Sequence, residues 1–140
     1  MIKNERQYKI TKSQIVKFEE SLNELTARSD TKSRLGKLEE DALRSQLDEL
    51  RGEVKQYEQL RAGGPKPIHI DSLDELPRAL VEARIVAGLS QRELAERMEL
   101  KEQQIQRYEA TAYCSASLTR LKEIAKALGV NIVGEMTYSG

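Results

Sequence analysis

The sequence predicts an all-α chain in two parts, an N-terminal helical hairpin or coiled coil and a C-terminal bundle of short helices. Three observations carry this. Apolar residues recur at helical steps of three and four through the first part, a glycine and proline cluster interrupts them, and helix-capping signatures follow at short intervals beyond it. With 39% hydrophobic residues, 4% aromatic residues and no Trp in 140, any core is aliphatic and modest. That length holds one ordinary domain, or a small domain with an extension.

In the first part, Thr11-Lys12-Ser13-Gln14 has the spacing of a capping box and is expected to open the first helix. Ile15, Phe18, Leu22 and Leu25 then make one apolar stripe. A break is expected at Arg28-Ser29-Asp30-Thr31. A second stripe runs through Leu35, Leu38 and Ala42, shifts by one position, and continues through Leu43, Leu47, Leu50, Val54 and Tyr57 at heptad spacing. A two-helix hairpin buries little by itself. Both stripes, Ile15 to Leu25 and Leu43 to Tyr57, are therefore the expected surface for dimerisation or partner binding, although packing of the two helices on each other is the simpler use of such a pattern.

The boundary is Ala62-Gly63-Gly64-Pro65-Lys66-Pro67, which no regular helix crosses. It divides the chain into a hairpin over 1–62, a linker over 63–71 and a second domain over 72–140. Ile68-His69-Ile70 and Val130 to Met136 alternate enough to suggest a short strand at each end of that domain, paired with each other or across a dimer. Within it, Ser72-Leu73-Asp74-Glu75 has capping-box spacing, Pro77 fits a first helical turn, and Leu76, Leu80, Ala83 and Ala87 share a face that ends at Gly88. Ser90-Gln91-Arg92-Glu93 opens a second, short helix through Leu94, Ala95 and Met98. A break at Glu99 leads into a third over Lys101 to Ala110, and a last helix runs from Leu118 to Gly129. Small Ala95 lets the second and third helices cross closely, and Leu94, Met98, Leu100, Ile105 and Tyr108 lock both inward, which makes a helix-turn-helix.

At about 100° per residue, the face of the third helix opposite Ile105 and Tyr108 carries Gln103 and Arg107, flanked by Gln106 and Ala110. A Gln amide can grip adenine N6/N7 and an Arg fork guanine O6/N7 in the major groove. Charge is balanced at 23 basic and 23 acidic residues, and residues 76–133 hold nine against seven, so nucleic-acid affinity must come from where charges sit and from dimerisation.

Leu89 to Met98, Ile105-Gln106-Arg107-Tyr108-Glu109, and Leu118 to Val130 together resemble the Cro/cI-type (XRE) helix-turn-helix family over residues 76–132. The resemblance implies a lambda-repressor-like bundle of about five helices whose third enters the major groove. It implies base contacts from Glu102, Gln103, Gln104, Gln106 and Arg107. Phosphate contacts would come from Gln91, Arg92, Lys101, Tyr113, Ser115 and Ser117, and from amides at the start of the second helix. Three positions depart from the family: Glu99 where Gly is usual, at a cost of about 1 kcal/mol, Lys101 where Ser or Thr caps, and Ala110 where Gly commonly ends the helix.

The expected function is a sequence-specific DNA-binding transcriptional repressor that binds a double-stranded operator as a homodimer. Added segments in small proteins of this family resemble HigA-type antitoxins, in which 11–60 would bind a cognate toxin and the protein would repress its own operon. The rival is a helical adaptor with no specific DNA binding. One Cys and one His exclude a Cys/His zinc site within the chain, and no nucleophile and base pair or glycine-rich phosphate loop is visible, so neither an enzyme, a metal nor a cofactor is expected. No run reaches the roughly 18 apolar residues of a membrane span, and a cytoplasmic location is expected. His69 reads as structural or exposed, and Cys114 as a small semi-buried loop thiol.

Overall fold

The computed structural model describes residues 1–28, 33–64 and 66–140. Ser29, Asp30 and Thr31 of the expected break, and Pro65 of the boundary, lie outside the described residues. Among the described residues there are six α-helices, one 3-10 turn and no strand. The chain divides into two compact units, Met1–Ala62 and Gly63–Gly140. Among the described residues no helix is long and apolar enough to cross a membrane.

In the first unit α1 spans Glu5–Ala27 and α2 spans Arg34–Arg61. The start of α1 lies earlier than Thr11-Gln14 suggests. Asn4 is the cap, its side chain accepting from the Gln7 amide at 2.8 Å, while Gln7 Oε1 accepts from the Lys3 amide at 2.8 Å. The start of a helix leaves amides unpaired, and the Asn4 bond satisfies one of them before Thr11 is reached, while the Gln7 side chain ties back the residue before the cap. Thr11 is buried inside the helix. Ser33 caps α2 by accepting from the Gly36 amide at 3.0 Å.

The two helices pack on each other as a hairpin. Leu25, Leu47 and Tyr57 are buried, and Ile15, Phe18, Leu22, Leu43, Leu50 and Val54 are half-buried, so both stripes serve first to close it. Leu35 and Leu38 are exposed, which shortens the second stripe: the inward face of α2 begins nearer Leu43. Aromatic and charged groups close the opposite end. The Tyr8 and Tyr57 rings meet edge to face at 5.2 Å, with the Arg61 guanidinium over both. Arg61 also donates to Glu5 Oε1 at 2.7 Å, and the Tyr57 hydroxyl donates to the same oxygen at 3.1 Å.

The second unit opens with a 3-10 turn, Leu73–Glu75, that runs directly into α3, Leu76–Val86; α4 (Gln91–Arg97), α5 (Glu102–Ala110) and α6 (Leu118–Leu128) follow. It holds four α-helices where about five were expected. Ser72 makes no side-chain cap; the Glu75 carboxylate instead accepts from the Asp71 amide. Neither Ile68-His69-Ile70 nor Val130–Met136 is a strand, because a strand requires a ladder partner and neither segment has one within the described residues. His69 is exposed, hydrogen-bonded to Asp71 at 2.8 Å. Leu94, Ile105 and Ile124, from three different helices, are the wholly buried centre of this unit.

The Arg61 hydrogen bond and charge hold the Glu5 carboxyl below its usual range. A folded pKa below the unfolded one adds stability that is present above the unfolded pKa and is lost as pH falls through the folded value. Hairpin stability, followed by far-UV circular dichroism in urea, is therefore expected to drop below pH about 4.5, and Glu5→Gln is expected to make that drop shallower.

Candidate nucleic-acid interface

The angle between α4 and α5 is set by how α4 ends. At its last turn the Glu99 amide bonds to the Glu96 carbonyl at 3.2 Å and the Leu100 amide reaches back to the Ala95 carbonyl at 2.8 Å. This is a Schellman cap, in which the residue after the helix adopts a left-handed conformation. The same pair of bonds closes α3 around Gly88 and α6 around Gly129, at φ 73° and 71°. At α4 the position is Glu99, at φ 57°, where a Cβ crowds the backbone. The expected departure at Glu99 is a left-handed turn made without glycine.

Behind the two helices lies a polar network that is closed to solvent. Arg84 of α3 and Glu109 of α5 are 2% and 3% exposed and form a two-pronged pair, Nε to Oε2 at 2.6 Å and Nη2 to Oε1 at 2.9 Å. Arg84 Nη1 donates to the Leu89 carbonyl at 2.8 Å. Gln91 of α4 donates from Nε2 to Glu109 Oε1, also at 2.8 Å. One guanidinium and one carboxylate thus bind three helices and the connecting turn. A charge is tolerated at this depth only when paired and hydrogen-bonded on its remaining sites, and here it is.

With Ile105, Tyr108 and Glu109 turned inward, α5 leaves Glu102, Gln103, Gln106 and Arg107 exposed on one side, and Gln104 half-buried at its edge. The Gln106 amide donates to Glu102 at a long 3.4 Å. Among the described residues neither Lys101 nor Arg107 makes an ion pair, which leaves both cations open to a ligand. Lys101 stands at the cap position of α5 in extended backbone, without a capping bond from its side chain. Arg92 is exposed on α4 and pairs with Glu96 at 3.3 Å. Ser115 and Ser117 are exposed, and the Ser117 oxygen accepts from the Arg120 amide to cap α6.

Two expected phosphate contacts are overturned by burial. Gln91 is 5% exposed, its amide directed at Glu109 and not outward. Tyr113 is also 5% exposed, stacked on Tyr108 with ring centroids 5.6 Å apart. Burial pushes its phenol pKa up. The start of α4 is likewise partly occupied: Ser90 Oγ accepts from the Glu93 amide and Glu93 accepts from the Ser90 amide, so the capping box uses two donors of that end. Cys114 is exposed rather than semi-buried, and follows Ala112 and Tyr113, both in left-handed backbone. Among the described residues no three His, Cys, Asp or Glu side chains gather as metal ligands.

Sequence inspection missed Arg84. The signal was available: it lies four residues after Leu80, on the apolar side of α3, where an arginine requires a buried acid.

The geometry defines a helix-turn-helix unit. Residues 80–134 match a family model described as helix-turn-helix, which runs from within α3 through α6 to the start of the segment after it. No curated protein and no solved structure matches the chain.

Removing one partner of the buried pair strands the other charge. Glu109→Ala is expected to cost about 3–5 kcal/mol, with Arg84→Met/Glu109→Leu costing less than the two single changes summed, measured by urea denaturation. In the same assay Glu99→Gly is expected to stabilise by up to about 1 kcal/mol, since glycine adopts a positive φ freely.

Proposed function

We propose that the protein is a sequence-specific DNA-binding transcriptional regulator, a repressor that occupies operator DNA as a homodimer with α5 in the major groove. The observation that carries this is the exposed face of Gln103, Gln106 and Arg107 on a helix fixed from behind by the Arg84 and Glu109 pair. Planar amide and guanidinium groups need fixed carriers to read base edges, because a mobile helix loses bidentate geometry. Arg107 suits guanine, Gln103 and Gln106 suit adenine, and Glu102 can accept from cytosine N4. Gln104, half-buried, contributes at the edge. Lys101, Arg92, Ser115 and Ser117 form the phosphate-contacting rim, without Gln91 and Tyr113. The match of 80–134 to a helix-turn-helix family supports the reading. Two reading helices about 34 Å apart would meet successive major grooves of a pseudo-palindrome.

The separate hairpin unit supports an antitoxin form of the same regulator. Its exposed Leu35 and Leu38 continue the apolar stripe onto the surface, where a cognate toxin could cover them. The stripe residues from Ile15 to Tyr57 would then hold the shape of the toxin-binding surface.

The test is a titration of the full chain against its own upstream DNA and a scrambled fragment, at two salt concentrations. Gln103→Ala and Arg107→Ala are each expected to lose about 1–3 kcal/mol at the cognate site, and Lys101→Ala to weaken both fragments alike and lower the salt slope by about 1. Equal binding to both fragments, unchanged in Arg107→Ala, would turn the reading to a helical adaptor.

A further inference from the structure

After α6 the chain leaves the bundle at left-handed Gly129 and runs on through residues 130–140 without regular structure. Large apolar side chains stand there in solvent: Ile132 is 58% exposed, Val133 91%, Met136 98% and Tyr138 is fully exposed. Scattered apolar residues on a surface need no explanation, but these are ordered by sequence. Val130, Ile132, Gly134, Met136 and Tyr138 fall at steps of two. Asn131, Val133, Glu135, Thr137 and Ser139 fall between them. That is the alternation of a strand with one apolar face. The segment has the side chains of a strand and no neighbour to pair with.

We propose that the neighbour is the same segment of a second copy, the two forming an antiparallel ribbon centred on Gly134. Self-complementarity is the argument. A two-fold axis requires each residue to face its mirror position. Around Gly134 the pattern is symmetric: Val130 faces Tyr138 and Ile132 faces Met136 on one side of the ribbon, while Asn131 faces Thr137 and Val133 faces Glu135 on the other. The apolar side gains a β-branched and aromatic pair at each end, which is among the favourable cross-strand pairs. A shift by one residue would set apolar against polar positions throughout.

A free two-stranded ribbon is marginal in water, so its apolar side needs cover. The same unit supplies it. A groove lined by Leu76, Leu80, Leu118 and Leu121 continues directly into Val130 and Ile132. In this register the partner's tail delivers its two largest apolar side chains opposite Val130 and Ile132, at the edge of that groove. The ribbon deepens the homodimer reading above by naming the surface that joins the copies, outside the N-terminal hairpin.

The test uses the full chain without DNA, in a Cys114→Ser background. Facing Cα atoms in an antiparallel pair lie about 4.5–5.5 Å apart, inside the disulfide range. Gly134 has open space around its Cα and no positive φ, so Gly134→Cys is unstrained. Under mild oxidation Gly134→Cys, and separately Asn131→Cys/Thr137→Cys, should become mostly covalent dimer on a non-reducing gel. These two variants sample both kinds of cross-strand pair. Ser139→Cys, which faces residue 129 of the other copy, should stay single. Met136→Asp should raise the dimer dissociation constant at least tenfold by sedimentation with unchanged helix content. A full chain that remains monomeric, cross-linking no greater than that of Ser139→Cys in both cysteine variants, or a dimer indifferent to Met136→Asp would overturn the ribbon. Absence of sequence-specific binding in the DNA titration described above, with the cross-link formed here, would overturn the regulator reading and leave the ribbon standing.

Discussion

An arginine and a glutamate shut away from water at the junction of α3, α4 and α5 determine the shape of the second unit. Desolvating two charges costs several kcal/mol each, and their attraction recovers it only with good geometry and full hydrogen bonding. Arg84 and Glu109 meet both conditions through the two-pronged contact, the Leu89 carbonyl and the Gln91 amide. The pair is therefore weak as a source of net stability and strong as a constraint. An apolar contact tolerates sliding by a fraction of a side chain, whereas a paired fork does not. It fixes the rotation of α5 about its own axis, and that rotation decides which side chains meet solvent.

The hairpin unit is held in another way. Its charged and aromatic cluster of Glu5, Tyr8, Tyr57 and Arg61 sits at the edge, where Arg61 and the Glu5 carboxylate remain largely in contact with water. Such exposed pairs contribute little, and the Tyr rings and the buried Leu47 and Leu60 carry more of the stabilisation through apolar area. One unit is thus closed by solvent-accessible charge over an aliphatic seam, and the other is pinned by charge inside its core.

The face of α5 is what remains after this burial. Gln91 and Tyr113 show the effect most clearly. Both are polar residues at positions where a resemblance implies contact with phosphate, and both are spent on the interior, one on Glu109 and one on the Tyr108 ring. Gln103, Gln106 and Arg107 stand on the side of α5 turned away from that interior and stay exposed.

Periodicity made the all-α class, the two long helices, the helix-turn-helix and the polar face of α5 legible, because each depends on spacing along the chain. The glycines that end α3 and α6, and the strain at Glu99, were readable for the same reason: backbone conformation is a local property. What lay beyond the sequence was every question of pairing at a distance. The cap at Asn4 outcompeted Thr11 because Tyr8 and its α2 partner make the earlier turns worth keeping. Segments 68–70 and 130–136 had the alternation of strands but no ladder partner among the described residues of their own chain. Arg84 found its acid twenty-five positions later. A sequence states which faces each element offers, and only the folded chain decides which faces meet, since burial and desolvation belong to pairs of surfaces and not to residues taken singly.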